Sequence, residues 1–349
     1  MTTLADVARL AGVSPATVSR IVSRSSRRVA PELRERVLAA VEELQYVPNA
    51  HAQLLARNHR SAVGVIVHDV SDPYFAEITR GLQRIATEHG RLVIICNTYR
   101  DPDKELEYVE LLRAHQAAAI ILAGSGHHNE TFTNTLDAKL RVYQATGGHI
   151  AVIGRHEHTG HAVIPANETG GYLIGTELYA LGHTHLGVIA GPKHLTTTTD
   201  RLTGLRHAAR DHGHKLPTRN IAYANFDRDG GATATAHLLD TQPHLTAIAA
   251  LNDTMAIGAL ALLRTRGIKV PQHISITGFD DMPIARDVTP TLTTVRLPLA
   301  DMGARAMTLA LQPPEPNHAE QIPAELIRRQ STAPPPPTHT TPKPLRSNP

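Results

Sequence analysis

Hydrophobic positions in the first fifty residues repeat at helical spacing, but in three short bursts. Leu4, Val7, Ala8 and Ala11 fall on one helical face. Gly12 interrupts that pattern and predicts a left-handed cap. Ser14 and Pro15 restart it, serine as an N-cap and proline at the first helical position, where no backbone donor is missed. Val18, Ile21 and Val22 then form the inner face of a second helix. A third starts at Pro31, buries Leu33, Val37, Leu38, Val41 and Leu44, and ends before Pro48. Residues 49–62, NAHAQLLARNHRSA, are weakly amphipathic and too short for a stable isolated helix, which predicts a hinge ordered by its surroundings.

From Val63 the texture changes to short apolar runs separated by amphipathic stretches. AVGVIV, RLVIICN, AAAIIL, HIAVIG, HLGVIAG, NIAYANF, TAIAALN and HISITGFD read as strands, with helices such as FAEITRGLQRIATEHG and TGGYLIGTELYALGH between them. Strand–helix alternation of this kind predicts parallel sheets covered by helices. So many strands would make one very wide sheet, so two lobes are expected, with the chain crossing between them near residues 155–165, RHEHTGHAVIP. The proline-rich end, residues 334–349, is predicted to be disordered.

Charge sharpens the first segment. Residues 1–60 hold nine arginines and no lysine against five acids, a net +4, so the remaining 289 residues carry −1 of the total +3. Such asymmetry points to a polyanionic partner for the N-terminal piece. No apolar run approaches membrane-spanning length, and Asp6 and Arg9 stand where an export signal needs an apolar stretch, which predicts a cytoplasmic protein. The single cysteine, Cys96, lies in an apolar strand and reads as a buried small hydrophobe.

A helix, a tight glycine turn and a second short helix form the helix-turn-helix arrangement, which lays its second helix in the DNA major groove. Pro15, Ala16 and Thr17 then face base edges, and Arg20, one turn on, can fork onto guanine. Thr2, Thr3, Thr17 and Ser19, with the helix N-termini, suit phosphates, and Ser14 joins the DNA-binding set at the start of the second helix.

TLADVARLAGVSPATVSRIVS, followed by ERVLAAVEELQYVPNAHAQLLA, resembles the LacI/GalR (lactose-repressor) family of bacterial transcription regulators. Further blocks in family order, among them GVIVHDVSDPYFAEITRGLQRIATEHG, DRLTGLRHA and ISITGFDDMPIARDVTPTLTTVR, extend the resemblance over about residues 2–335. The resemblance implies an all-α helix-turn-helix headpiece, 1–48, and a hinge, 49–60. An α/β core of two doubly wound parallel-sheet lobes of periplasmic-binding-protein type follows at 61–333. Its first lobe takes 61–162 and 294–321, and its second takes 163–293 and 322–333. It also implies a homodimer on a near-palindromic double-stranded operator. The hinge would meet the DNA through Asn49, Ala52 and Leu55, the leucine wedging into the minor groove. One departure is that the family's V-x-x-D-N appears here as VIPAN, placing Ala166 where an aspartate is usual.

Two parallel-sheet lobes bind small molecules at the carboxyl ends of their strands. Asp69, Tyr74 and Phe75 follow the first strand, Arg155 follows HIAVIG, Asn252 follows TAIAAL and Asp280 follows ISITGF. Arg201 and Phe226 match effector-contacting positions of the family. Asp72 and Asp253 read instead as helix caps. The expected function is a repressor whose operator affinity is controlled by a sugar or nucleoside between the lobes. The competing readings are an enzyme or an exported solute-binding protein on the same scaffold. No G-x-G-x-x-G, P-loop lysine or nucleophile–histidine context supports catalysis, and the basic headpiece opposes export. GHHNE (126–130), RHEHTGH (155–161) and LGHTH (181–185) have metal-ligand spacings, but 22 histidines are spread along the chain, so neither a metal site nor a cofactor is expected.

Overall fold

The computed structural model describes residues 2–22, 29–46, 62–156, 160–313 and 318–337. It divides into two units, residues 1–61 and 62–349.

The first unit holds three helices, α1 (Leu4–Ala11), α2 (Pro15–Val22) and α3 (Pro31–Glu43). Thr3 and Asp6 close α1 with a capping box, and Arg9 pairs with Asp6 at 2.7 Å. At the other end Gly12 adopts φ 62°, while Val13 N–H donates to Ala8 O and Gly12 N–H to Arg9 O, a Schellman turn. The Arg36 guanidinium of α3 donates to the Ala11 carbonyl, and a Cβ on Gly12 would sit 2.6 Å from its Nη2. The positive φ disfavours a side chain at the turn, and a Cβ there would push the Arg36 guanidinium aside. Val7, Ala8, Ala11, Val18, Ile21, Val37 and Ala40 form the buried core. Leu38, expected inside, is 46% exposed. At 100° per residue it lies well away from the stripe of Leu33, Val37, Ala40, Val41 and Leu44. As the sequence implies, Ala30 gives α3 no side-chain cap, and Pro31 starts that helix.

In the second unit β1 (Ala62–Val67), α4 (Pro73–Glu88), β2 (Leu92–Asn97), α5 (Pro102–Ala114), β3 (Ala119–Ala123), α6 (Glu130–Ala145), β4 (His149–Ile153) and β5 (His161–Pro165) form the first lobe. The second lobe runs α7 (Asn167–Ala180), β6 (Leu186–Ala190), α8 (Thr196–Asp211), β7 (Ile221–Tyr223), α9 (Arg228–Thr241), β8 (Ala247–Ala250), α10 (Asp253–Thr265) and β9 (Ser275–Thr277). The chain then passes through β10 (Thr294–Arg296), α11 (Leu299–Leu311), β11 (Ala319–Ile322) and β12 (Glu325–Ile327). One sheet has the order β11-β5-β4-β3-β1-β2 and the other β7-β6-β8-β9, with every pairing parallel; β10 and β12 make a separate antiparallel pair.

The segment read as a simple crossing at 155–165 contains a strand. His161–Pro165 pairs with both β4 and β11, so the first sheet keeps residues beyond the expected division at 162. Its alternating burial hid it, because Ala162 and Ile164 are only half-buried. Ser331 and Ala333 bond to Ile276 and Ser275 of β9, and Pro334–Pro337, expected to be disordered, continue from there. Residues 338–349 lie outside the described residues. Cys96 is a buried free thiol on β2, and among the described residues no helix is long and apolar enough to cross a membrane.

Helices meet where glycines allow close approach. A Cβ on Gly81 would lie 1.7 Å from Ala300 O, and one on Gly303 2.0 Å from Ile78 O, locking α4 against α11. On the second lobe a Cβ on Gly171 would lie 2.1 Å from Arg201 O and one on Gly204 1.9 Å from Glu168 O, which brings α8 down onto α7.

Replacing Gly12 by alanine should cost the first unit about 1–2 kcal/mol, the expense of a left-handed residue with a Cβ. Hydrogen exchange of the full chain should accelerate across residues 4–22 and stay unchanged across 62–313.

Candidate effector cleft and nucleic-acid interface

Helix α2 presents two faces of different chemistry. Val18 and Ile21 are buried, while Pro15, Ala16 and Arg20 are exposed and Thr17 and Ser19 half-buried. Ala16 and Arg20, four residues apart, share the face opposite the core. Ser14 Oγ accepts from Thr17 N–H at 3.2 Å and lies 2.9 Å from Thr17 Oγ1, so the two hydroxyls fix the start of the helix. Thr3 is likewise engaged in its cap. Asn49, Ala52 and Leu55 lie outside the described residues.

Each sheet of the second unit has one point where strand order reverses, between β1 and β3 in the first and between β6 and β8 in the second. Crevices form at the carboxyl ends of such strands, and here the two crevices face one another. In this arrangement the lobes leave a cavity of about 40 Å³ between them. From the first lobe His68, Asp72, Tyr74, Phe75, Arg100 and Ser125 line it. From the second come Leu195, Thr197, Arg201, Phe226, Asn252 and Asp280.

Arg201 dominates the second-lobe wall. Its side chain is 3% exposed, Nε donates to Asn167 Oδ1 at 2.9 Å, Nη1 to Leu251 O and Nη2 to Asp280 Oδ1 at 2.9 Å. The guanidinium carbon stands 3.6 Å over the Phe279 ring. Three N–H groups are thus committed, which leaves two of the five for a ligand. Burial raises the Asp280 carboxyl and Arg201 pulls it back, so contact with arginine rather than water holds the ion pair. Asp280 has φ 105°, a costly conformation for a residue with a side chain, and it is pinned by its N–H donating to Val295 O at 2.7 Å.

On the first-lobe wall Asp72 caps α4 through Tyr74 N–H at 3.0 Å and lies 3.9 Å from Arg100. Burial pushes its carboxyl up to about 6, with Asp280 adding, while the Tyr74 N–H and Arg100 act the other way. Arg100, in a left-handed turn at φ 62°, has a buried Nε with no partner. Burial drives His68 down to about 3 and raises the Tyr74 hydroxyl. Across the cleft mouth the lobes touch directly. Ser125 Oγ donates to Thr197 Oγ1 at 2.6 Å, Thr196 N–H to Gly126 O at 2.9 Å, and Arg155 pairs with Asp200 at 2.6 Å.

Tyr74, Phe75, Arg201, Phe226, Asn252 and Asp280 therefore stand in the cleft as the sequence implied. Asp69 and Arg155 do not. Asp69 turns back to accept from Ser71 N–H and Oγ, and Arg155 follows β4, away from the switch point, where it pairs with Asp200 on the rim. Asp253 is not a cap. Asn252 caps α10 by accepting from Met255 N–H, while Asp253 accepts from Met282 N–H and Thr294 Oγ1 and burial lifts its carboxyl well above the usual range. His68, Arg100, Ser125 and Thr197 were missed. The first three follow β1, β2 and β3, so strand-end position alone could have found them. Of the histidine clusters, His183 spends both ring nitrogens on Thr246 and Ala333, His161 bonds Pro313 O, and His156 bonds Gly124 O.

Residues 3–49 match the model for bacterial regulatory proteins of the lacI family, and residues 176–332 match the periplasmic binding protein-like domain. The transcriptional regulator GalS of Salmonella typhimurium is 37% identical over 89% of this chain and 90% of its own length. The regulator GalR of Escherichia coli is 34% identical, covering 96% of this chain and 97% of its own length. Among solved structures, the lac repressor dimer bound to operator and the anti-inducer ONPF superposes with a TM-score of 0.81 at 25% identity, covering 95% of this chain and 99% of that one. A complex of the regulator CelR with cellobiose gives 0.69 at 27% identity, covering 95% and 100%.

Arg201→Met strands Asp280 as an unpaired buried carboxylate and should cost about 3–5 kcal/mol in chemical denaturation of the second unit. Asp72 has a folded-state value above its ordinary 3.8, so its ionisation weakens the fold as pH rises from about 4 to about 6. Asp72→Asn should therefore gain stability relative to the parent across that window and hold a constant lead above it, as read from urea midpoints at successive pH values.

Proposed function

As the chain belongs to the lacI family of bacterial regulatory proteins, we infer that it is a DNA-binding transcriptional repressor whose operator affinity is set by a sugar held between its lobes. It acts as a homodimer on a near-palindromic operator, one helix-turn-helix per half-site, in the compartment that holds the chromosome. The reading rests on the cleft. Donors and acceptors from both lobes converge beside Phe226, Tyr74 and Phe75, and the buried Arg100 Nε has no acceptor among the described residues. A hydroxyl-rich ring presents acceptors to Arg100 and Arg201, donors to Asp280 and Asn252, and an apolar face to the aromatic side chains. The cellobiose complex of CelR and a ribose-bound regulator of Enterococcus faecium are relatives whose ligands are sugars. Ligand favours one lobe arrangement over the other, and a coupling of about 1–3 kcal/mol changes operator affinity about 5- to 150-fold.

The test begins with duplexes selected from random DNA by the parent protein. Arg20→Ala should lose about 1–3 kcal/mol of preference for the selected site while keeping salt-sensitive binding to unrelated duplex. In a thermal-shift panel of mono- and disaccharides, at least one should raise the melting temperature and move the operator midpoint. Unchanged preference in Arg20→Ala rejects the base-reading role. A panel in which only nucleosides act rejects the sugar.

A further inference from the structure

Below the cleft, in the first lobe, His68 at the end of β1, Glu105 in the first turn of α5 and His127 in the loop after β3 converge. Their ligand atoms all lie within 4.8 Å of one another. None of the three side chains makes a hydrogen bond or ion pair with another described residue, although Glu105 is only 5% and His68 only 7% exposed. A carboxylate buried without a partner is costly; burial pushes the Glu105 carboxyl up to about 7, and a counter-charge or a metal relieves the same cost. The ion pairs found elsewhere in this lobe show that arginine and lysine are available to it, yet none reaches Glu105.

We propose that His68, Glu105 and His127 bind a divalent transition-metal ion of the zinc class. Two imidazole nitrogens and one carboxylate oxygen are a donor set suited to that ion, and three protein ligands leave a further position for water or an effector oxygen. Around a tetrahedral ion with bonds of about 2.0–2.1 Å, neighbouring ligand atoms stand roughly 3.3 Å apart, so the three groups need only small rotamer shifts to close. The rings are held for it. His127 stacks on His194 at 5.3 Å between centroids and leans on Phe132 at 4.8 Å, and His68 meets the edge of Phe75 at 5.6 Å. The first turn of α5 partly offsets the effect of burial on the Glu105 carboxyl, and a bound cation would take the place of its proton. Arg100 opposes a cation there, and Asp72 at 3.9 Å offsets its charge. Since His68 belongs both to this cluster and to the cleft wall, and His127 bridges to Leu195 of the other lobe, the ion would sit where ligand binding and lobe contact meet.

The test uses the full chain after chelation, dialysed against zinc and assayed for bound metal. One tight equivalent in the parent, lost in Glu105→Gln and in His127→Gln while circular dichroism of both metal-free variants stays parental, is the expected result. No tight equivalent in the parent, or one that both variants retain, overturns the site. Should either variant not fold, X-ray absorption of the zinc-loaded parent decides. A shell with two imidazoles and oxygen supports the assignment, and a shell of any other histidine count rejects it.

Discussion

Arg201 is the constraint on which the second lobe is organised. Its three protein acceptors belong to three separate pieces of chain: Asn167 at the start of α7, Leu251 at the end of β8 and Asp280 after β9. A guanidinium buried to 3% exposure is tolerable only if all of them are in place. Meeting that demand fixes α7 against α8, which is why Gly171 and Gly204 must lack side chains, and it holds Asp280 in a backbone conformation that non-glycine residues avoid. The aromatic floor follows too, since Phe279 lies flat beneath the cation and its neighbour Gly170 has no room for a Cβ.

The headpiece obeys a smaller version of the same logic. One cation, Arg36, closes the end of α1 across the glycine turn. The apolar stripes of three short helices bury Val18 and Ile21 of α2 and leave Pro15, Ala16 and Arg20 exposed. A core this small tolerates no misplacement of that turn, so the sequence spends Gly12, Ser14 and Pro15 on it in close succession.

Much of this was legible from residue order. Periodicity located the three helices and eight parallel strands, because buried strands and amphipathic helices write different periods. Strand ends located four cleft residues, Tyr74, Phe75, Asn252 and Asp280, and the family resemblance two more, Arg201 and Phe226. What escaped was decided by tertiary context. Whether an aspartate after a strand caps a helix, like Asp72, or turns inward to Met282 and Thr294, like Asp253, depends on partners 29 and 41 residues away along the chain, beyond the reach of local rules. Arg100 reaches the cleft through two successive left-handed residues, Tyr99 and Arg100, neither of them glycine. The convergence of His68, Glu105 and His127 joins three segments that no short motif spans; only His127 comes from one of the histidine clusters, whose members His156, His161 and His183 are tied to backbone carbonyls and a hydroxyl.

The bonds that link the lobes across the mouth, Ser125 to Thr197, Gly126 to Thr196 and Arg155 to Asp200, have a temporal meaning. A molecule enclosed behind them departs only after the whole seam has parted, so its dwell time reflects the opening frequency of the protein as well as the strength of its own contacts. A transcriptional response built on such a seam carries a short memory. Its timing is set by how often the lobes open as well as by how tightly the compound is held.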